Sequence, residues 1–275
     1  MQKACVIGWP IKHSRSPLIH KFWLEKYNLV GDYEKIVVEP ENLRQFIIDL
    51  PDSQFSGCNV TIPHKENVFD IVTVSDPLTI CIGAVNTVFT KNGAVYGLNT
   101  DGYGFISNLK FSIPSFDFAK KRCVIIGAGG ASRAIIAALL AENVFEIILV
   151  NRTIQKAQKL AHHFGDNIKC ADIESLNKLI TNADLLVNTT SLGMIGQPEL
   201  EINLEKLPKS CLVTDIVYSP LETNLLKKAK THGNRVVDGL GMLLHQAAPG
   251  FEKWFGIFPE VTQELRNHIL KDLGE

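Results

Sequence analysis

No stretch of this chain approaches the roughly 20 consecutive apolar residues that a membrane helix needs. The apolar run after Lys3 is only a few residues long and leads into Gly8-Trp9-Pro10, which is not the plan of a secretory leader. An excess of one charge is missing too, since the formal net charge is −1 over 275 residues. Neither nucleic acid nor an anionic membrane is therefore an expected partner. The six cysteines (Cys5, Cys58, Cys81, Cys123, Cys170 and Cys211) never form a Cys-x-x-Cys pair. Most fall in apolar, strand-like runs, where cysteine serves as a small core residue. Disulfides and a zinc site are not expected, and a reducing cytoplasm is. The eight histidines lack metal-ligand spacing, and repeats and low-complexity tracts are absent. What remains is 45% hydrophobic and long enough for one large or two modest domains.

Strand-like and helix-like segments alternate, which predicts α/β layers with largely parallel sheets. In the first third, residues 4–8, 34–38 and 57–60 read as strands, and 17–28, 41–50 and 65–74 as helices. Residues 85–90 and 94–98 flank Lys91-Asn92-Gly93, a hairpin signal because Asn-Gly tolerates positive φ. Residues 107–121, with Pro114 and mixed polarity, read as the linker to a second βα series. Strands near 123–126, 146–150, 168–171, 185–188, 212–216 and 235–237 then predict an open, doubly wound sheet, followed by helices over 242–254 and 259–270.

The second series opens on Gly127-Ala128-Gly129-Gly130-Ala131-Ser132, between a strand and a long apolar helix. Glycines let a phosphate approach the backbone, and the helix start offers free N–H groups and partial positive charge. The next strand ends in Asn151-Arg152-Thr153, with Ile154, Gln155 and Lys156 beyond. An NAD site places an acid there, roughly 20 residues after the glycines, to bind the ribose hydroxyls. This chain has none. Arg152, Lys156 and the Thr153 hydroxyl instead suit a 2′-phosphate, so NADP is expected over NAD. Thr153 also reads as the cap of the following helix.

Three polar clusters precede that fold. In His13-Ser14-Arg15-Ser16-Pro17, Ser16 reads as an N-cap with proline behind it, and both serines can offer hydroxyls to an anionic or polyhydroxylated ligand. In Asn59-Val60-Thr61-Ile62-Pro63-His64-Lys65, Thr61 reads as a cap, Pro63 as the helix start and Lys65 as a first-turn residue. The positive helix end disfavours a second positive charge, which eases loss of the lysine proton and suits a donor–acceptor near neutral pH. Asp101, in Asn99-Thr100-Asp101-Gly102, stands at another helix start that keeps it ionised, as partner of Lys65 more than proton carrier. Asn86 adds an uncharged donor and acceptor. Taken singly, each feature also reads as ordinary capping or as solvated charge.

Together these motifs resemble the shikimate dehydrogenase family. The matching stretches are 10–17, 59–65, 83–87, 99–102, 127–133, 151–153, Asp215-Ile216-Val217-Tyr218-Ser219-Pro220 and Asp238-Gly239-Leu240-Gly241-Met242, in family order along nearly the whole chain. The resemblance implies a substrate-binding α/β domain over 1–104, a Rossmann-type NADP domain over 105–240, and C-terminal helices over 241–275 packing back on the first. It implies Lys65 and Asp101 as the catalytic pair. Ser14, Ser16, Thr61, Asn86, Tyr218 and Gln246 would surround shikimate, with the serines and Tyr218 near its carboxylate and Asn59 supporting this substrate-binding shell. Gly127, Ala128, Gly129, Gly130 and Ala131 would hold the pyrophosphate, Asn151 to Lys156 the adenosine phosphate, and Ile216 and Gly239 would lie by the nicotinamide. Trp9 and Thr223-Asn224 depart from the family pattern, away from the implied proton and hydride paths.

The expected activity is reversible reduction of 3-dehydroshikimate to shikimate by NADPH in aromatic amino-acid biosynthesis, by a cytoplasmic monomer or homodimer without metal. A quinate or shikimate dehydrogenase using NAD is the alternative within the fold, and a non-catalytic NADP-sensing module the alternative outside it.

Overall fold

The apolar runs of the first third become strands β1 (Gln2–Gly8), β2 (Gly31–Val37), β3 (Phe55–Val60), β4 (Thr87–Lys91) and β5 (Ala94–Leu98). They form one sheet in the order β2-β1-β3-β4-β5. β1 runs parallel to β2 and β3, while β4 and β5 close it as an antiparallel hairpin. Asn92 and Gly93 make that turn at φ of 52° and 74°, as Asn-Gly allows. The computed structural model describes residues 1–165 and 167–274. It divides into two units, one of Met1–Gly104 with Leu244–Glu275 and the other of Phe105–Leu243.

Four helices belong to the first sheet: α1 (Ser16–Lys26), α2 (Leu43–Ile48), α3 (Lys65–Phe69) and α4 (Pro77–Ile82). Next comes α5 (Asp101–Ser112), which runs into the segment expected to be a linker. The polar residues at 107–112 concealed a helical face: Phe105, Ile106 and Leu109 are all buried, and the helix stops ahead of Pro114.

The second unit holds β6 (Arg122–Ile126), α6 (Gly130–Ala141), β7 (Glu146–Val150), α7 (Ile154–Phe164), β8 (Ile168–Ala171), α8 (Leu176–Leu179), β9 (Leu185–Asn188), β10 (Leu212–Asp215), α9 (Asn224–His232) and β11 (Arg235–Val237). Its strands are all parallel in the order β11-β10-β9-β6-β7-β8, the doubly wound Rossmann arrangement. Period-two alternation explains why these strands read as unbroken apolar runs. Cys123, Ile125, Ile147, Leu149, Leu185 and Val187 face one core, while Val124, Ile126, Ile148, Val150 and Leu186 face the other.

The chain ends in α10 (Leu240–Phe255) and α11 (Gln263–Leu273), and from Leu244 it belongs to the first unit. Indole N–H groups fasten this return. Trp254 donates to the Val88 carbonyl at 2.9 Å, and Trp23 of α1 to the Glu260 carbonyl at 3.0 Å. Gly57 makes room, because a Cβ there would sit 2.3 Å from the Trp254 Nε1. Among the described residues no helix is long and apolar enough to cross a membrane.

Candidate active site

In the first unit, the ends of β3, β4 and β5 bring two of the three polar clusters together, those of Lys65 and Asp101. Lys65 is the first residue of α3, and Asp101 the first of α5. The Lys65 Nζ meets Asp101 Oδ2 at 2.5 Å, with the lysine side chain 27% exposed and the aspartate side chain 11%. Lys65 is pinned through its backbone as well, its carbonyl accepting from Val85 N at 2.8 Å. Asp101 N donates to Asn99 Oδ1 at 3.1 Å, and Asn99 is itself tied to the Ala84 carbonyl at 3.0 Å. The pair therefore hangs on two backbones that the protein holds from behind.

Asn86 is the hub. Its Nδ2 donates to Asp101 Oδ1 at 2.8 Å and lies 3.4 Å from Gln246 Oε1, while its Oδ1 accepts from Thr100 N and Thr87 Oγ1, each at 2.9 Å. Thr100 ties α10 in, donating from Oγ1 to the Gln246 carbonyl at 2.7 Å. Asn59, opposite Thr87 in the β3–β4 register, is buried with both Nδ2 hydrogens used, on the Asn86 carbonyl and Thr87 Oγ1 at 3.2 Å each. A charge pair among neutral amides and hydroxyls can shift a proton to or from a bound oxygen while holding ring hydroxyls by direction.

Ser14 Oγ donates to Ser16 Oγ at 3.2 Å, and Ser16 N to Ser14 Oγ at 3.3 Å. Ser16 is not the N-cap of α1, contrary to expectation. Arg15 holds that place in αR geometry, and Ser16 and Pro17 are already helical. The Thr61 side chain likewise does not cap α3, whose N-cap is His64. A short turn, closed by His64 N on the Thr61 carbonyl at 3.0 Å, delays the helix from Pro63 to Lys65. Neither the Ser16 nor the Thr61 hydroxyl is spent on a helix cap, while Ser16 is bonded to Ser14. Burial pushes His245, on α10 beside Gln246, down to about 4, so it is neutral at neutral pH.

The second unit presents a different surface. Gly127 follows β6 at φ 108°, and a Cβ there would lie 2.8 Å from Thr189 Oγ1. Ser132 Oγ donates to the Gly127 carbonyl at 2.7 Å and sits 2.7 Å from Thr189 Oγ1, which donates to the Ile126 carbonyl at 2.7 Å. The hydroxyl pair thus braces the turn from beneath. A Cβ on Gly129 or Gly130 would meet nothing within 4 Å. Space therefore opens directly over the first turn of α6, as a dinucleotide pyrophosphate requires. Ala128 and Ala131 flank that turn.

The register Ile126↔Val150 sets Asn151 next to the glycine turn. Arg152, Thr153, Gln155 and Lys156 are exposed there, with Asn151 and Ile154 partly so. Thr153 is the N-cap of α7 but makes no side-chain cap bond, leaving its hydroxyl open; Asn151 Nδ2 donates to its carbonyl at 2.8 Å. Ile216 leaves β10 with its N–H on the Asn188 carbonyl at 3.1 Å. Gly239 packs so tightly that a Cβ would come within 2.4 Å of the Ile216 carbonyl oxygen. Tyr218 lies on the same loop, partly exposed. Behind it Asp215 is buried, its pKa raised by desolvation against the bonds it accepts from Val217 N, Thr223 and Asn188. Among the described residues no group of three or more His, Cys, Asp or Glu could hold a metal ion.

Sequence reasoning passed over Thr87, Thr100, Ser132, Thr189 and Asp215. Each is a polar residue at or just beyond the end of an apolar strand or turn, which is a usable signal.

A Rossmann sheet with an open glycine turn, in one chain with a lysine–carboxylate pair among neutral polar groups, defines a dinucleotide-dependent oxidoreductase. Family comparison agrees. Residues 6–88 match the shikimate dehydrogenase substrate binding domain, 109–223 the shikimate/quinate 5-dehydrogenase family and 239–262 the shikimate 5′-dehydrogenase C-terminal domain. The chain belongs to the shikimate dehydrogenase family. A shikimate dehydrogenase (NADP+) of Brucella canis is 50% identical over 100% of this chain and 96% of its own. A shikimate dehydrogenase structure in complex with NADP+ superposes with a TM-score of 0.91 at 34% identity, covering 100% of this chain and 96% of that one. The Thermus thermophilus enzyme in complex with NADP(H) and shikimate has a TM-score of 0.86 at 34% identity, covering 100% and 99%.

Proposed function

We propose that this chain catalyses the NADPH-dependent, reversible reduction of 3-dehydroshikimate to shikimate, within aromatic amino-acid biosynthesis in the cytoplasm, as a monomer or homodimer. The first unit is the substrate-binding domain and the second the NADP domain. The contact between Lys65 Nζ and Asp101 Oδ2 carries the reading. Bound NADPH supplies the hydride. Lys65 donates the proton to the substrate's C3 oxygen as that oxygen gains alkoxide character, and accepts it back in the reverse direction. Asp101 aligns the ammonium, and Asn86 fixes the aspartate's other oxygen.

Ser14, Ser16 and Tyr218 are assigned to the carboxylate of the acid, Thr61, Asn86 and Gln246 to its remaining contacts, and Asn59 to the support behind them. Gly127 to Ala131 take the pyrophosphate, Asn151 to Lys156 the 2′-phosphate end, and Ile216 and Gly239 flank the nicotinamide. The missing acid after β7 supports NADP over NAD. The test is absorbance-coupled oxidation of shikimate and quinate, each with NADP and NAD. Turnover should be strongest with shikimate and NADP. Preference for quinate with NAD, or tight NADPH binding without turnover, overturns the assignment.

A further inference from the structure

Tyr33, on β2, has no place in the site assigned above, yet it terminates the ladder of bonds that leads there. It is fully buried, stacked on His20 at 4.0 Å between ring centroids, and its hydroxyl donates to Asn59 Oδ1 at 2.6 Å. The direction of that bond follows from the far side of the amide. The Asn86 carbonyl can only accept, so Asn59 must face it with Nδ2 and Tyr33 with Oδ1. Thr87 Oγ1, the second acceptor of Asn59 Nδ2, donates to Asn86 Oδ1 at 2.9 Å, and Asn86 Nδ2 reaches Asp101 Oδ1 at 2.8 Å. An unbroken run of bonds therefore joins Tyr33 to the carboxylate that grips Lys65.

We infer that Tyr33 is a positioning residue of the reaction: by donating to Asn59 it locks the Asn59–Thr87–Asn86 ladder that holds Asp101, and through it Lys65, in line. The inference rests on the function proposed above. Burial raises the Tyr33 pKa well above that of free tyrosine, so the group remains a donor throughout the neutral range. His20 beneath it is fully buried, and desolvation keeps it neutral. Ser16 also reaches the hydroxyl, and nothing charged competes for it. Removing that hydroxyl leaves a buried Asn59 Oδ1 without a donor and frees the amide to turn off the ladder.

The experiment is steady-state kinetics of Tyr33→Phe, Asn59→Ala and the double variant, with Thr87→Val as a second cut in the same ladder. The phenylalanine ring keeps the stack on His20, so the variant loses one hydroxyl and little packing. Tyr33→Phe should lower kcat/KM for shikimate about tenfold, the effect of one buried hydrogen bond, and leave KM for NADP unchanged. Thr87→Val should show the same split. In the Asn59→Ala background, Tyr33→Phe should cost nothing further, because its effect passes through that amide. Wild-type kcat/KM in both Tyr33→Phe and Thr87→Val overturns the inference. So does equal loss toward both substrates, the mark of general loosening, and so do losses that multiply in the double variant. An unaltered chain that fails to oxidise shikimate overturns the function and this inference with it. Normal turnover by the unaltered chain with multiplying losses overturns this inference alone.

Discussion

Lys65 is the side chain proposed to move the proton, and its neighbours show how it is held. The carboxylate at 2.5 Å and the backbone bonds behind both residues leave the ammonium little freedom. Lys65→Ala should cut kcat by about 10²–10⁴, the usual range for a lost proton-transfer group, with a much smaller change in shikimate KM. Single-turnover and steady-state assays separate the two, and near-normal turnover would remove Lys65 from the mechanism. At the other end of the reaction, Arg152 is exposed beside the open Thr153 hydroxyl. Arg152→Ala should raise KM for NADP by about 10–100-fold, the worth of a charge-assisted bond, while KM for NAD stays where it was. Equal effects on both dinucleotides would exclude contact with the 2′-phosphate.

Elements were legible where one rule decided them. Strands β6, β7, β9 and β10 stood out because burial on both faces demands runs of consecutive apolar residues, with polar ones confined to the strand ends. The β4–β5 hairpin stood out because Asn92-Gly93 supplies the positive φ. The lysine and aspartate were readable as chemistry, but their contact was not, since it joins residues 36 positions apart through two sheet connections. Cap assignments failed at Ser16 and Thr61 because a hydroxyl has several local partners and the sequence does not rank them. Helix α4 was missed for a related reason: its N-cap Asp76, accepting from Thr79 N at 2.7 Å, stands just past the 65–74 stretch read as helix, where no element was expected. The C-terminal return depends on tertiary fits that no periodicity announces. Trp254→Phe removes the indole donor to the Val88 carbonyl and should destabilise the first unit by about 0.5–1.5 kcal/mol, read in its denaturant midpoint. An unchanged midpoint would show the indole bond to be dispensable.

For the molecule as a whole, one buried group sets a pH dependence. Burial lowers His20 to about 3, Asn59 offsetting only part of the effect. Unfolded, the same histidine titrates near its ordinary value of about 6.5. Below that pH the unfolded chain takes up a proton that the native chain refuses, so stability present above about 6.5 drains away as pH falls toward 3. Between pH 6.5 and 5 the loss from this group is about 2 kcal/mol. His20→Phe should flatten that slope in urea titrations at pH 7 and pH 5. An identical slope would place the acid sensitivity elsewhere.

The first unit takes its residues from both sides of the second. A ribosome therefore releases the whole of Phe105–Leu243 while the first sheet still waits for Gln246 and Trp254. The inserted Rossmann layer can finish folding during synthesis. The half that carries the lysine must remain incomplete until α10 has been made.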